Sequence, residues 1–160
     1  MATWFGLKPD LRALIATAHN ANMQVYADYV IDHCSGADAP EVSPIDGVSR
    51  WTKFQPMSGK FLRDTNSFHP SRYETWDGGT FGGMPDLCYR NPDVYTAVLE
   101  CTEWMLNTIG FDGFRFDFVK GYGAWMARAI QELRGYTARQ HSNLFRWASV
   151  GTTAERSRIG

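Results

Sequence analysis

The sequence predicts an α/β fold built on a parallel sheet, from three observations. Residues 25–31 and 113–119 have the β-branched and aromatic make-up of strands. Stretches with a helical apolar period flank them. The order is therefore helix, strand, insertion, helix, strand, helix, and strands that alternate with helices run parallel. Parallel sheets close into barrels or stay open and doubly wound. Neither strand is followed by a Gly-rich phosphate loop, which weighs against the open, nucleotide-binding kind.

The first helix is read in "KPDLRALIATAHNANMQ", where Leu11, Leu14, Ile15 and Ala18 form an apolar stripe and Pro9 and Asp10 suit the first turn. "VYADYVIDH" supplies the first strand, 25–31, with Asp32 and His33 at its C-terminal end. Residues 34–90 are rich in Gly, Pro, Ser, Asp and aromatics, with no helical period. A structureless loop of that length is rare inside a domain, so the segment reads as a small irregular subdomain. Asn91 caps the next helix, and Pro92 fits its first position. Val94, Val98, Cys101, Met105 and Ile109 form its stripe, and Gly110 stops it. The second strand spans 113–119. A last helix places Trp125, Ala129, Ile130 and Leu133 on one side and ends at Gly135.

Composition narrows the function. Lys and Arg number 16 against 17 Asp and Glu, a net charge of −1, which gives no electrostatic case for nucleic acid or an acidic membrane. No apolar run reaches the length of a membrane span, and "MATWFGLKPD" lacks the basic-then-apolar order of a secretory leader. The three cysteines, Cys34, Cys88 and Cys101, make no disulfide framework.

The second strand carries the chemistry. In "FDGFRFDFVKGY", Phe114, Phe116 and Phe118 point one way, and Arg115, Asp117 and Val119 the other. A buried carboxylate is costly alone, and Arg115, two residues away on the same face, holds Asp117 ionised. The pair is either a structural ion pair in a barrel interior or a carboxylate nucleophile at the C-terminal end of a strand, where barrels keep their catalytic groups.

Three motifs, "VYADYVIDH" (25–33), "GGMPDLCYRNPDV" (82–94) and "GFDGFRFDFVKGY" (110–122), resemble those of the alpha-amylase family, glycoside hydrolase family 13. The stretch "FHPSRYETWDGGTFGGMPDLCY" ahead of the third motif resembles the archaeal and plant type. The likeness covers about residues 3–136. It implies a partial TIM (β/α)8 barrel: two strand–helix units, the family's third and fourth strands, with an inserted subdomain. Its divisions are residues 1–33, 34–90, 91–136 and an unrelated 137–160.

The resemblance implies retaining endo-hydrolysis of α-1,4-glucosidic bonds in starch-type glucans, with Asp117 as nucleophile and Arg115 orienting it. It makes an α-glucan the partner, with no nucleic acid or membrane. His33 matches the histidine that hydrogen-bonds the sugar, or else caps a strand end. Asp28 matches a supporting aspartate. Lys120 and Tyr122 match positions on the leaving-group side, although a surface lysine reads equally well. Other specificities in the family, oligosaccharide-releasing or transglycosylating, and a non-catalytic glucan- or calcium-binding remnant remain alternatives.

Calcium is the implied cofactor, held by Asp32, Asp77, Asp86 and the carbonyl of Gly121. Asp32 stands where the family usually has Asn and still supplies an oxygen. Some archaeal-type relatives add zinc. His69 and Cys88 match two of its ligands and Glu74 takes the place of a third, against the reading of an inert Cys88 and a solvated His69. Trp51, Tyr73 and Trp76 either stack on glucose rings or pack the subdomain.

A whole barrel needs about 250 residues, and no segment here resembles the family's first two or last four strands. The acid/base glutamate, in a segment like G-E-x-W-D, is missing, so this chain alone is expected not to hydrolyse glucan usefully. Half a barrel also predicts low stability, with strand edges and helix faces uncovered. In the tail, "WASVGT" back-translates as TGG GCG AGT GTT GGG ACA. Two bases in, that reads Gly-Glu-Cys-Trp-Asp. A shifted reading frame is the expectation, and resequencing the DNA tests it: no single-base shift restoring the motif overturns it.

Overall fold

The structure, a computed structural model, describes residues 2–3, 6–75 and 81–133. The tail, with its expected frame shift, and Trp76, Asp77 and Gly135 lie outside the described residues. A short antiparallel pair, β1 (Ala2–Thr3) and β2 (Gly6–Leu7), leads into α1 (Lys8–Asn20), where Asp10 accepts a hydrogen bond from the Leu7 amide at 2.7 Å. Of the expected stripe only Ile15 is buried. Leu11 and Leu14 are 38% and 60% exposed, because α1 packs along the line of Ile15, beside Gly110.

The central feature is a parallel pair, β3 (Tyr26–Tyr29) and β6 (Gly113–Phe116). Both are shorter than the sequence suggests. Their register aligns Ala27 with Phe114, Asp28 with Arg115 and Tyr29 with Phe116. Asp112 fixes this register at its start: its carboxylate takes the Val25 amide and the His19 ring, both at 2.7 Å. Ala27, Phe114 and Phe116 face the core, and Tyr29 packs on it with its ring 4.8 Å from Phe114.

Helices cover that face. α2 (Pro92–Trp104) starts at Asn91, whose side chain accepts from the Asp93 amide at 3.0 Å. It widens into a π-turn over Met105–Ile109 and ends at Gly110, whose φ of +100° suits glycine. The buried line is Val94, Val98, Thr102 and Leu106, not Cys101 and Met105, which flank it. Thr102 tolerates this place because its hydroxyl donates to the Val98 carbonyl at 2.7 Å and meets Tyr29 Oη at 3.0 Å. In α3 (Ala124–Gln131), Met126 and Ile130 point inward; of the predicted face Ile130 is buried as expected, whereas Trp125 is 39% exposed. Trp125 instead lies under the Arg90 guanidinium, 4.9 Å from the ring centre.

The insertion is more regular than its composition implies. β4 (Ala39–Val42) and β5 (Ser49–Lys53) form an antiparallel hairpin, followed by a 3-10 turn, Thr65–Ser67. Pro40 in β4 disguises the strand; it sits on an edge, where its missing N–H costs nothing. Backbone bonds tie the insertion to the end of β3: Leu87 donates to the Asp32 carbonyl (2.7 Å) and Cys34 to Pro85 (3.2 Å). Others hold the insertion together, His69 donating to Asp86 (3.1 Å) and Cys88 to Ser67 (2.9 Å). No closed barrel forms among the described residues.

Candidate active site

Asp28 and Arg115 are register partners, so their side chains leave the sheet together, on the face opposite the phenylalanines. Arg115 Nη1 lies 2.9 Å from Asp28 Oδ1 and 2.9 Å from Asp117 Oδ1. One guanidinium thus bridges two carboxylates from adjacent strands. The hydrogen bond to Asp28, followed by the charge of Asp117, raises the Arg115 pKa. The expectation that Arg115 and Asp117 are buried is not met. Their side chains are 39% and 38% exposed, since no described segment covers this face. Attraction rather than desolvation holds the pair.

The expected alternation fails at Phe118. Its φ of +50° is left-handed, a conformation costing a bulky residue about 1–3 kcal/mol. The strand has ended, and a tight turn follows in which the Gly121 amide donates to the Phe118 carbonyl at 3.0 Å. The ring joins His33 instead of the core. Phe118 meets the imidazole edge-on at 6.1 Å, Phe81 stacks on it at 5.1 Å, and the two phenyl rings are 5.4 Å apart. Lys120 is exposed and its ammonium lies 5.2 Å from the Phe118 ring. Tyr122 is buried, 6.4 Å from the Tyr89 ring. Its hydroxyl has no hydrogen-bond partner among the described residues. Burial, and then the charges of Asp32 and Asp117, push its pKa up.

Behind this face lies an acidic cluster. Asp32 and Asp86 are 1% and 0% exposed. Asp32 Oδ2 is 3.1 Å from His33 Nδ1, while its Oδ1 is buried and has no donor among the described residues. Burial raises the Asp32 pKa and Asp86 adds to the rise, against the hydrogen bond from His33. Gly121 lies so close that a Cβ there would overlap Asp32 Oδ1. A cradle of carboxylate oxygens with an orphaned acceptor is what a hard cation needs. Asp77 lies outside the described residues.

His69, Glu74 and Cys88 come together, with one potential ligand atom of each within 4.8 Å of the others. His69 is buried, so the solvated reading of it is wrong: Asp86 holds its Nδ1 at 2.8 Å and Glu74 its Nε2 at 3.3 Å. Burial alone would lower its pKa, but hydrogen bonds to Asp86 and Cys88 push it up to about 10. Against its own burial, the Cys88 thiol is held below its usual value by His69 and by Ser71, whose Oγ is 3.1 Å away. Of the aromatic residues on the insertion, Trp51 is 59% exposed on β5 and Tyr73 is half-buried.

Adjacent parallel strands with a carboxylate and its guanidinium at their C-terminal ends, and an irregular subdomain clamped beside them, make this part of a (β/α) barrel enzyme domain. Comparison with known proteins agrees. Residues 1–147 match the family described as "Alpha amylase, catalytic domain", and the chain belongs to that family. It is 32% identical to the alpha-amylase of Geobacillus stearothermophilus, over 74% of this chain and 30% of the relative. It is 28% identical to that of Bacillus licheniformis, over 74% of this chain and 31% of the relative. Among solved structures it resembles the alpha-amylase of Geobacillus thermoleovorans complexed with acarbose, with a TM-score of 0.55 and 26% identity, over 79% of this chain and 26% of that one. The chain thus spans about a third of the length of these relatives.

Sequence reading missed Phe81 and Phe118 as neighbours of His33. The strand pattern of 113–119 hid the left-handed turn, and nothing local links positions 33 and 81.

Proposed function

We propose that this chain carries the nucleophile half of a retaining α-glucan hydrolase acting inside α-1,4-linked chains. Asp117 would attack the anomeric carbon as the glycosidic bond to the leaving sugar breaks, and Arg115 would hold its carboxylate oriented. Asp28, sharing the same guanidinium, fixes the side chain of Arg115. His33, gripped by Asp32 and walled by Phe81 and Phe118, is placed to donate to a sugar hydroxyl. The observation that supports this reading best is Arg115 bridging Asp28 and Asp117 at 2.9 Å on both sides. Maltoheptaose should bind the chain, and His33→Ala should weaken that binding about tenfold. Starch hydrolysis should stay at the background of Asp117→Asn. Calorimetry showing no sugar binding to either form would contradict it.

Calcium belongs to the same reading. Asp32 and Asp86, with the Gly121 carbonyl, would hold it, and it would supply the positive charge that the unpartnered oxygen of Asp32 faces. Calcium at about a hundredfold over its Kd should stabilise the fold by about 2.7 kcal/mol. That is a rise of roughly 5–10 °C in Tm, reversed by EDTA and absent in Asp32→Ala. An unchanged Tm would remove calcium from the proposal. Zinc would take His69, Glu74 and Cys88 and release the His69 proton on binding. A zinc titration that releases no protons would exclude that site.

A further inference from the structure

Phe118 directly follows Asp117 and holds a backbone conformation that bulky residues avoid, φ +50°. Glycine would adopt it freely. Such outliers persist where the surroundings over-determine them, and they collect at functional sites. A phenylalanine at this position therefore points to a use for its ring.

In a continued strand the ring would fall on the core side, with Phe114 and Phe116. The left-handed turn carries it to His33 instead. There it is held on further sides. The Lys120 ammonium lies 5.2 Å from its centre. Gly121 lies against its Cδ1, which would be 2.7 Å from a Cβ at 121.

Phe81 reaches the same imidazole from the insertion. It opens a turn through Gly82 and Gly83, at φ +58° and +80°, closed by the Met84 amide donating to the Phe81 carbonyl at 3.0 Å. Two left-handed residues in succession favour glycine, and they make the turn tight. The turn sets the Phe81 ring nearly parallel to His33, with 15° between the planes and 5.1 Å between the centres. Phe118 meets the imidazole at 82°, and the two phenyl rings meet each other at 68°.

The hydrogen bond from Asp32 Oδ2 to His33 Nδ1, at 3.1 Å, fixes one atom of the imidazole. One bond leaves the ring free to rock about it. Two aromatic walls at a right angle to each other fix the plane as well. His33 Nε2 has no hydrogen-bond partner among the described residues, so it is the nitrogen left for a ligand.

We propose that Phe118 and Phe81 are positioning residues. They set the plane of the His33 imidazole, and so the direction in which Nε2 meets a sugar bound at Asp117. The sugar rests on the function proposed above; the clamp on the imidazole does not.

The first test therefore needs no sugar. In the intact chain, 13C relaxation of the His33 ring C–H bonds should report a rigid ring, with an order parameter of about 0.85, falling below about 0.6 in Phe118→Asn. Asparagine accepts the left-handed backbone and lacks the ring, so the turn stays while one wall goes. Phe81→Ala, at a side chain 49% exposed, should loosen the imidazole in the same way without threatening the fold. Phe118→Tyr keeps the ring and should stay rigid. An imidazole as rigid in Phe118→Asn and Phe81→Ala as in the parent would mean that Asp32 alone suffices, and would overturn the proposal. Rigidity kept in only one of them would remove that residue from it.

The second test is a double-mutant cycle on maltoheptaose binding. Phe118→Asn should weaken binding about fivefold, less than the roughly tenfold loss expected of His33→Ala, and should cost nothing more once His33 is alanine. An equal loss with and without His33 would make Phe118 a sugar contact and overturn its positioning role. An imidazole loosened as expected, in a chain that binds no maltoheptaose, would keep the clamp and overturn the α-glucan reading.

Discussion

Gly121→Ala should destabilise the chain by about 3 kcal/mol or more. A Cβ at 121 would overlap Asp32 Oδ1 and press on Asp32 Cγ and Phe118 Cδ1. The obstruction cannot easily move. Asp32 is 1% exposed and held by His33, and the backbone carrying it is tied to Leu87 at 2.7 Å. The φ of Gly121 is not left-handed, so the loss is steric and not conformational. A fall of about 6–12 °C in Tm follows for a chain of this size. Shortening Asp32 relieves part of the overlap, so Asp32→Ala combined with Gly121→Ala should melt higher than the two single losses predict. A Gly121→Ala chain that melts with the parent would mean that the turn 117–121 does not close on Asp32, and the cation cradle would go with it.

The second large effect concerns Asp117. In any longer form of the protein that carries an acid/base glutamate, Asp117→Asn should lower kcat by about four orders of magnitude or more. The amide is nearly isosteric and keeps a hydrogen bond to Arg115, so KM should change little. In the 160-residue chain the same substitution should change starch hydrolysis not at all, because no segment of it resembles the acid/base motif expected of the family. A loss confined to KM in the longer form would make Asp117 a binding residue and leave the nucleophile to be found elsewhere.

The fold was largely legible because its signals are local. Strand–helix alternation gave the parallel pair, and Asn91, Pro92 and Gly110 marked the ends of a helix with its π-turn. The site was legible where one strand carries it: Arg115 and Asp117 share a face by parity. It failed where the chain leaves regular geometry. Phe118 reads as a strand residue, yet its φ is +50° and its ring belongs to His33. The β4–β5 hairpin hid behind prolines. His69, buried by contacts from residues 74, 86 and 88, gave no local sign of burial. The exposure of Arg115 and Asp117 was mis-set because a strand pattern reports which face a side chain takes and not what covers that face.

The most direct test is to incubate the chain with α-maltosyl fluoride and map any covalent product by mass spectrometry. Fluoride leaves without general-acid help, so the first step needs no acid/base glutamate. The Asp117 carboxylate forms the C–O bond as the C–F bond breaks and fluoride departs. With no general base to activate water, the ester should persist. The expected result is one maltosyl unit on the peptide containing residues 113–122, assigned to Asp117 and absent in Asp117→Asn. A chain that stays unlabelled, or is labelled at another carboxylate, would contradict the assignment of Asp117 as the nucleophile.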